Sequence, residues 1–415
     1  MYISVTDIVL SVMYFIILYL SVFWLLVLLS KKEDVKKEML DFPLVSVIIP
    51  AYNEELTITA SIQSIFALKY PNIELIVVND GSKDNTQAIA QKLQETSKIP
   101  FKIISQENKG KGAALNQALK IAQGEFYATL DADSSVDPQI LHNLMPYFTS
   151  GNIGAVLPLL KIKDPKNILQ RIQRYEYIIN MFYKMLNSKL DCVHVTPGPF
   201  SVYRTSIIRA LGGYDENNIT EDLEIAIRLQ KHHYRIIQTG EPAVYTIPPA
   251  TIRGLYRQRN RWYKGSILNS IKYRNIMFNR KYGDFGFMRL PTIIISGVLS
   301  IIVLSTLTYD TLSTIIEKMI NLYSINFDIL TLFRNWVFDF HVFDLNFLKI
   351  TVAFFVLALG LGVMIASFRY SQEKITKYGK TFFSLAYYML LYSFILSVVW
   401  FMIGIEIARG KVQRW

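Results

Sequence analysis

Residues 73–86 read IELIVVNDGSKDNT, and this stretch decides how the chain folds from Leu44 to about residue 250. A run of β-branched and apolar side chains ends in Asn79-Asp80-Gly81-Ser82, a turn that also suits the start of a helix. The same pattern recurs on both sides. LVSVIIPAY (44–52), FKIIS (101–105) and EFYATLDAD (125–133) are short strand-like runs, with segments of helical length between them at 54–69, 84–97 and 111–123. Strands alternating with helices predict βαβ units and an α/β domain with a mostly parallel sheet. Ligands of such sheets bind beyond the carboxyl ends of the strands. Polar residues collect at those ends: Tyr52-Asn53-Glu54 after the first strand, Asp80 after the second, Asp131-Ala132-Asp133 after the fourth. Three acidic strand ends on one edge suit a nucleotide with a divalent metal, which prefers hard carboxylate oxygens.

Each feature alone has a bland reading. Asp-Gly-Ser is an ordinary turn and cap, and a single Asp-x-Asp is weak evidence. GKGAAL (110–115) matches neither GxxxxGK[ST] nor GxGxxG, which disfavours a nucleoside triphosphatase or a dinucleotide-dependent dehydrogenase. Further along, Thr220-Glu221-Asp222 opens a helical segment, and Gln258-Arg259-Asn260-Arg261-Trp262 begins 36 residues after Asp222. A carboxylate at a helix start can be a plain cap, and a basic helix with tryptophan can be an interfacial anchor. Their joint occurrence in this order, behind Asp80 and Asp131-x-Asp133, is hard to attribute to chance.

The flanks are membrane-like. The chain has 415 residues, 51% of them hydrophobic, a formal net charge of +11 and a single cysteine, Cys192. No intrachain disulfide or multi-cysteine zinc site is possible. Residues 8–30 form an uncharged run of 23 followed by Lys31-Lys32, long enough to cross a bilayer of about 30 Å. It reads as a retained anchor with its end in the cytoplasm. Blocks of spanning length return at 291–309, 350–368 and 382–405. The acidic link 310–348 fits the outside and the basic link around Arg369–Lys380 the inside, which puts the basic tail 409–415 outside. A fifth span within 310–348 would bring the tail inside but would expose the basic link. Four spans are favoured.

Two segments are expected at the membrane surface. Residues 165–187 mix basic and bulky apolar side chains at helical spacing, and 253–289 carries ten Lys/Arg against Asp284 alone, a net of +9. Basic amphipathic stretches beside a span favour anionic lipid. Nucleic acid is excluded as partner because the charge is juxtamembrane and no recognition module is present. The division that follows is an anchor and linker at 1–42, a cytosolic catalytic domain at 43–250, a basic interfacial region at 251–290 and a membrane region of about three spans at 291–415.

VVNDGSKDNT, Asp131-Ala132-Asp133, Thr220-Glu221-Asp222 and Gln258-x-x-Arg261-Trp262 together resemble the processive membrane glycosyltransferases of family 2. That family includes the synthases of cellulose, chitin, hyaluronan and poly-N-acetylglucosamine. GPFSVYRTSII (198–208) is similar to the hyaluronan and chitin synthases, NITEDLEIAIRLQ (218–230) to bacterial poly-N-acetylglucosamine enzymes. Pro197-Gly198 stands where Ser-Gly is usual, a departure that touches acceptor binding, and one N-terminal span stands where several relatives have two. The resemblance implies a glycosyltransferase-A-like, Rossmann-like α/β domain on a helical transmembrane bundle with interfacial helices. It implies that Tyr52 and Glu54 flank uracil, Asp80 binds the uridine, Lys111 lies near the diphosphate, Asp131 meets the nucleotide and metal, and Asp133 holds Mg2+ or Mn2+. Asp222 would be the general base, supported by Glu221, with Gln258, Arg261 and Trp262 shaping the donor pocket and Trp262 with Gly198 the acceptor pocket.

The chemistry fits these residue types. Loss of a diphosphate develops charge that a metal and the cations Lys111 and Arg261 can stabilise. An attacking hydroxyl needs its proton removed, a contribution of roughly 10²–10⁴ from one carboxylate. A single displacement inverts the anomeric centre. The expected reaction is polymerisation from a UDP-sugar, UDP-N-acetylglucosamine first and UDP-glucose second, into a β-linked polysaccharide exported across the plasma membrane, with an accessory subunit as a possible partner. A non-processive glycolipid or lipid-linked sugar transferase is the enzymatic alternative. An inactive export scaffold is the alternative of another class, disfavoured by the complete carboxylate set.

Overall fold

The structure is a computed structural model and describes residues 5–30, 36–39, 41–328, 347–374, 384–385 and 387–409. Its soluble part is built on an eight-stranded sheet. The strands are β1 (Val45–Ala51), β2 (Ile73–Asp80), β3 (Phe101–Gln106), β4 (Phe126–Thr129), β5 (Ser135–Val136), β6 (Ile153–Ile162), β7 (Val202–Arg204) and β8 (Arg235–Thr246), in the order β3-β2-β1-β4-β7-β6-β8-β5. The pairs β3–β2, β2–β1, β1–β4 and β6–β8 are parallel; β7 is antiparallel to both neighbours and β5 to β8.

Alternation along β1 and β2 explains why both faces are covered. Val45, Val47 and Ile49 with Leu75 and Val77 point to one core, shared with Ile58, Ile62 and Ile65 of α2 (Ile58–Phe66). Ile48, Ile76 and Val78 point to the other, against Ala114, Leu115 and Ala118 of α4 (Lys111–Ile121). Fully burying one such Leu or Ile contributes about 1.5–3 kcal/mol, and apolar residues on both faces are the mark of a parallel sheet covered by helices. α3 (Thr86–Glu95) lies beside α2. The first four strands match the sequence expectation, except that β4 stops at Thr129 and leaves 131–133 in the turn beyond it.

The remaining helices join the sheet to the apolar segments. α5 (Ile140–Leu144) and α7 (Thr205–Ala210) are short, and α8 (Glu221–Lys231) packs under β8. α6 (Ile168–Lys189) was expected on a membrane surface. Instead it is largely buried, with β6 and β8 on one side and α1 (Val5–Leu29) and α11 (Phe347–Tyr370) on the other. Phe182 and Leu186 meet Val27, while Tyr175 and Ile178 meet Met364 and Phe368.

α1, α11 and the segment Phe285–Ser324 are long and apolar enough to cross a membrane. That last segment ends in α10 (Leu290–Ser324), which runs 15 residues past the span expected at 291–309. Neither Gly nor Pro interrupts 310–324, so Asp310, Glu317 and Lys318 ride on a continuing helix. The block expected at 382–405 holds a π-helical turn, Tyr388–Tyr392, and the shorter α12 (Ser393–Ala408). Most of the acidic link 310–348 beyond residue 328, most of the basic link and the tail after Arg409 lie outside the described residues.

α9 (Ile252–Lys272) carries the basic region, yet two of its cations are buried. Arg259 is paired with Glu176 of α6, and Lys264 Nζ sits 2.5 Å from Glu406 of α12. These two bind helix to helix rather than helix to lipid headgroup.

Candidate active site

Parallel strands put their carboxyl ends on one edge, and the loops there are laced together. After β1, the Asn53 amide donates to Ser82 Oγ and the Glu54 amide to Thr86 Oγ1, at 3.0 and 2.7 Å. In return, the Lys83 amide donates to Asn53 Oδ1 at 2.8 Å. Tyr52 remains 44% exposed on this rim. Asp80 is buried, and both its oxygens are engaged: Oδ1 accepts from the Lys109 amide at 2.9 Å and Gln106 Nε2 at 2.7 Å, Oδ2 from the Gly110 amide at 2.9 Å. Asp80 therefore fixes the turn that launches α4, whose first residue is Lys111.

Lys111 reaches across the edge. Its Nζ lies 2.5 Å from Asp131 Oδ1 and 3.1 Å from Glu221 Oε1. Burial opposes its charge, but Asp131, Glu221 and Asp222 together hold it well above the ordinary lysine value. Gly198 permits this approach: a Cβ there would lie 2.8 Å from both Asp131 carboxylate oxygens and nearer still to Lys111 Nζ. Thr129 anchors the same loop by donating from Oγ1 to the Gly198 carbonyl at 2.9 Å.

Asp222 sits at the start of α8. Burial and the neighbouring Glu221 raise its carboxyl to about 6, against the pull of Lys111 and Arg261. Its backbone carbonyl is held by the amide and hydroxyl of Thr196 at 3.2 and 2.8 Å, while its Oδ1 accepts from the Leu223 amide at 2.9 Å. Asp133 is also raised to about 6, by burial and then by Asp131, with Glu54 adding to the repulsion and Ser134 opposing it. Mutually repelling carboxylates in a partly dehydrated site are the donor set that a hard divalent cation relieves, so Asp133 and Asp131 fit such an ion. Among the described residues no third His, Cys, Asp or Glu completes a cage, which leaves positions for water and phosphate oxygens.

α9 closes the site because Gly265 lets it pass Thr220. A Cβ at Gly265 would lie 2.9 Å from Thr220 Cβ and nearer to its hydroxyl. Asn269 adds a hydrogen bond to Thr220 Oγ1 at 3.1 Å. Gln258, Arg261 and Trp262 then face a cavity of about 390 Å³, together with Lys111, Asp131, Asp133, Gly198, Glu221 and Asp222. Arg259 points the other way, stacked over Trp262 with 4.3 Å between its guanidinium carbon and the ring centre. Tyr392 Oη donates to Glu176 at 2.6 Å, which completes a buried Arg259–Glu176–Tyr392 group behind the tryptophan.

Nine of the twelve residues singled out from the sequence line this one cavity; Tyr52, Glu54 and Asp80 stand on the adjoining loops. The sequence reading missed a second set. Tyr177, Asn180, Lys184 and Asn187 of α6 line the cavity at spacings of three to four, joined by His194 and Arg289. Their helical period was visible, but in a helix assigned to the membrane surface.

An α/β sheet with its acidic strand ends gathered under a basic helix defines the glycosyltransferase-A-like class of fold. Residues 46–212 match Glycosyl transferase family 2, so the chain carries a domain of that family. It is similar to the poly-beta-1,6-N-acetyl-D-glucosamine synthase of Staphylococcus aureus (strain COL), 33% identical over 240 residues, and to that of Staphylococcus epidermidis, 32% identical over 242 residues. Each match covers 57% of this chain and 57% of the relative, so the chain matches little more than half the length of these proteins. Its fold resembles a mannosyltransferase from Pyrobaculum calidifontis solved with GDP-Man and Mn2+, with a TM-score of 0.64, 18% identity, and coverage of 98% of this chain and 99% of that one.

Proposed function

We propose that the chain is a membrane-bound, metal-dependent, inverting glycosyltransferase that builds a β-linked polysaccharide from a UDP-sugar, with UDP-N-acetylglucosamine as donor. The observation that carries this reading is the single cavity joining Asp222 and Asp133, both shifted toward neutral pH, to Lys111, Arg261 and Trp262. The named activity of the staphylococcal relatives supports the donor and product, and the Mn2+ of the mannosyltransferase supports a divalent ion.

In this reading Tyr52 and Asp80 border the nucleoside, and Lys111 and Arg261 hold the diphosphate. Mg2+ or Mn2+, held by Asp133 with Asp131, supplies charge neutralisation for the leaving diphosphate. Asp222 takes the acceptor hydroxyl's proton onto its carboxylate; a base near 6 is largely ionised at neutral pH yet stronger than an ordinary aspartate. Glu221 raises that basicity, and its contact with Lys111 ties the base to the donor side. Trp262 offers a flat apolar face to the acceptor sugar, and its backing by Arg259 fixes the ring angle. Attack from the Asp222 side opposite the departing diphosphate gives inversion. The basic stretch 253–289 favours an anionic cytoplasmic leaflet, which supports a catalytic domain in the cytoplasm with export left to the multi-pass helices.

The test is the purified chain in nanodiscs with radiolabelled UDP-sugars and Mn2+. Release of UDP with labelled polymer from UDP-N-acetylglucosamine is expected. UDP release with only a single sugar added to a lipid would replace polymerisation with glycolipid synthesis, and no turnover of any UDP-sugar would remove the donor class.

A further inference from the structure

α9 turns one face to the cavity: Gln258, Arg261 and Trp262 are three and four residues apart on the helix, and all line it. Arg259, the residue after Gln258, is fully buried behind that face with all three of its nitrogens engaged. Nε donates to Glu176 Oε1 at 3.2 Å, Nη2 to Glu176 Oε2, and Nη1 to Gln258 Oε1 at 2.5 Å. The plane of the same guanidinium lies over the ring of Trp262. One buried cation therefore touches two side chains of the cavity wall.

The contact with Gln258 fixes more than a position. The two ends of a glutamine amide have nearly the same shape, and the hydrogen-bond partner decides which end points where. A guanidinium donates and never accepts, so the end that meets Arg259 is the carbonyl oxygen. The –NH2 is the end left for the cavity, and among the described residues it donates to no protein group. Turning the amide over would set N–H against N–H beside a buried fork and leave donors unmatched. Glu176 keeps that fork still. It is 7% exposed, takes two nitrogens of Arg259, and accepts from Tyr392 Oη at 2.6 Å as well. A carboxylate that holds a guanidinium through two bonds fixes its plane as well as its place.

We propose that Gln258 is a specificity residue, showing only N–H donors to the sugar that rests on Trp262, and that Arg259, clamped by Glu176, is the positioning residue that sets this polarity. A wall that only donates favours a carbonyl oxygen, as on an N-acetylated amino sugar. It disfavours the ammonium of the same sugar without its acetyl group, which can only donate in turn. The inference rests on the reading that Trp262 carries the acceptor sugar.

The experiment uses the full chain in nanodiscs with Mn2+ and measures UDP binding and then disaccharide binding by titration calorimetry. The two disaccharides are di-N-acetylchitobiose and its fully de-acetylated form, at about pH 6.5, where an amine of the α-amino type is largely an ammonium. The readout is the ratio of their dissociation constants, on which the carboxylates of the cavity act alike in every variant. Gln258→Met is expected to shift the ratio at least about fivefold toward the ammonium sugar. Arg259→Lys keeps the charge opposite Glu176 but loses the fork that reaches Gln258, so the freed amide can turn its oxygen to the ammonium. A shift of at least about threefold in the same direction is expected. Glu176→Gln, which loosens the fork from its other end, should move the ratio the same way and serves if Arg259→Lys does not fold. In a Gln258→Met background neither change should move it by more than about 1.5-fold, because both act through the amide. A ratio that Gln258→Met leaves unmoved, or moves toward the acetylated sugar, overturns the specificity role. Shifts that add in full to that of Gln258→Met overturn the positioning role. Binding of neither disaccharide by a chain that binds UDP also overturns the proposal, by removing the acceptor from Trp262, and leaves the donor reading standing. The expected shifts in a chain that binds no UDP support the role of Gln258 and defeat the donor reading instead.

Discussion

Asp80 and Asp222 are both acidic residues at the ends of secondary elements in one domain, yet their surroundings treat them in opposite ways. Asp80 receives three hydrogen bonds, two from backbone amides of the turn before α4. The Asp222 carboxylate receives one among the described residues, from the next residue's amide, and is pressed upward by burial and by Glu221. The first carboxylate stabilises the loop; the second is held in a state that protonation would relieve. A rim built for shape and a cavity built for reactivity thus lie within one sheet edge.

Replacing Asp222 with Asn should have the largest effect. Transfer should fall by about 10²–10⁴-fold with UDP affinity within about threefold; an unchanged rate would remove Asp222 from the base role. The same variant should melt at a higher temperature at pH 7. Asp222's folded value of about 6 exceeds the ordinary 3.8, so its ionised form costs stability that accrues as pH rises from 3.8 to about 6. Asn escapes that cost, and a lower melting temperature would show that the carboxylate is instead stabilising.

Gly198→Ala should come next. Its Cβ would push Lys111 and Asp131 apart, and a displacement near 1 Å is commonly worth about 10² in rate. Steady-state rates with an unchanged thermal midpoint would separate this local effect from misfolding. The pH profile is the third measurement. Activity should drop about tenfold per unit below pH 6 as Asp222 becomes protonated. Asp133, also raised to about 6, should make the same acid range demand more Mn2+. A limb near 4 would place both carboxylates in ordinary surroundings. The smallest effect on rate is expected for Asp80→Asn, which exchanges a charged acceptor for an amide and leaves one turn amide poorly matched. Thermal unfolding should report a loss of about 1–3 kcal/mol. A rate loss as large as that of Asp222→Asn would erase the contrast between rim and cavity.

The same contrast marks what the sequence could and could not disclose. β1 to β4 were legible because each is a compact β-rich run ending in polar residues, and the motif carboxylates followed from their positions at strand ends. The other half of the sheet was not. β6 and β8 contain Pro158 and Pro242, β7 has three residues, and β7 runs antiparallel, so no βαβ rhythm announces them. Lys184 and Arg289 escaped for a different reason. A cation on a helix beside a span has the same sequence signature whether it faces lipid or a cavity, and only packing distinguishes the two. Arg259 and Lys264 show this directly, since both belong to the stretch read as lipid-facing and both are buried in ion pairs.

The group behind Trp262 has a mechanical consequence. Glu176 belongs to the helix under the sheet, Arg259 to the helix bearing the tryptophan, and Tyr392 to the π-helical turn that leads into α12. A tilt of α12 would pull on a tyrosine hydroxyl, and the tug would reach the indole through one carboxylate and one guanidinium. Movement of α12 is thereby coupled to an aromatic ring of the cavity wall.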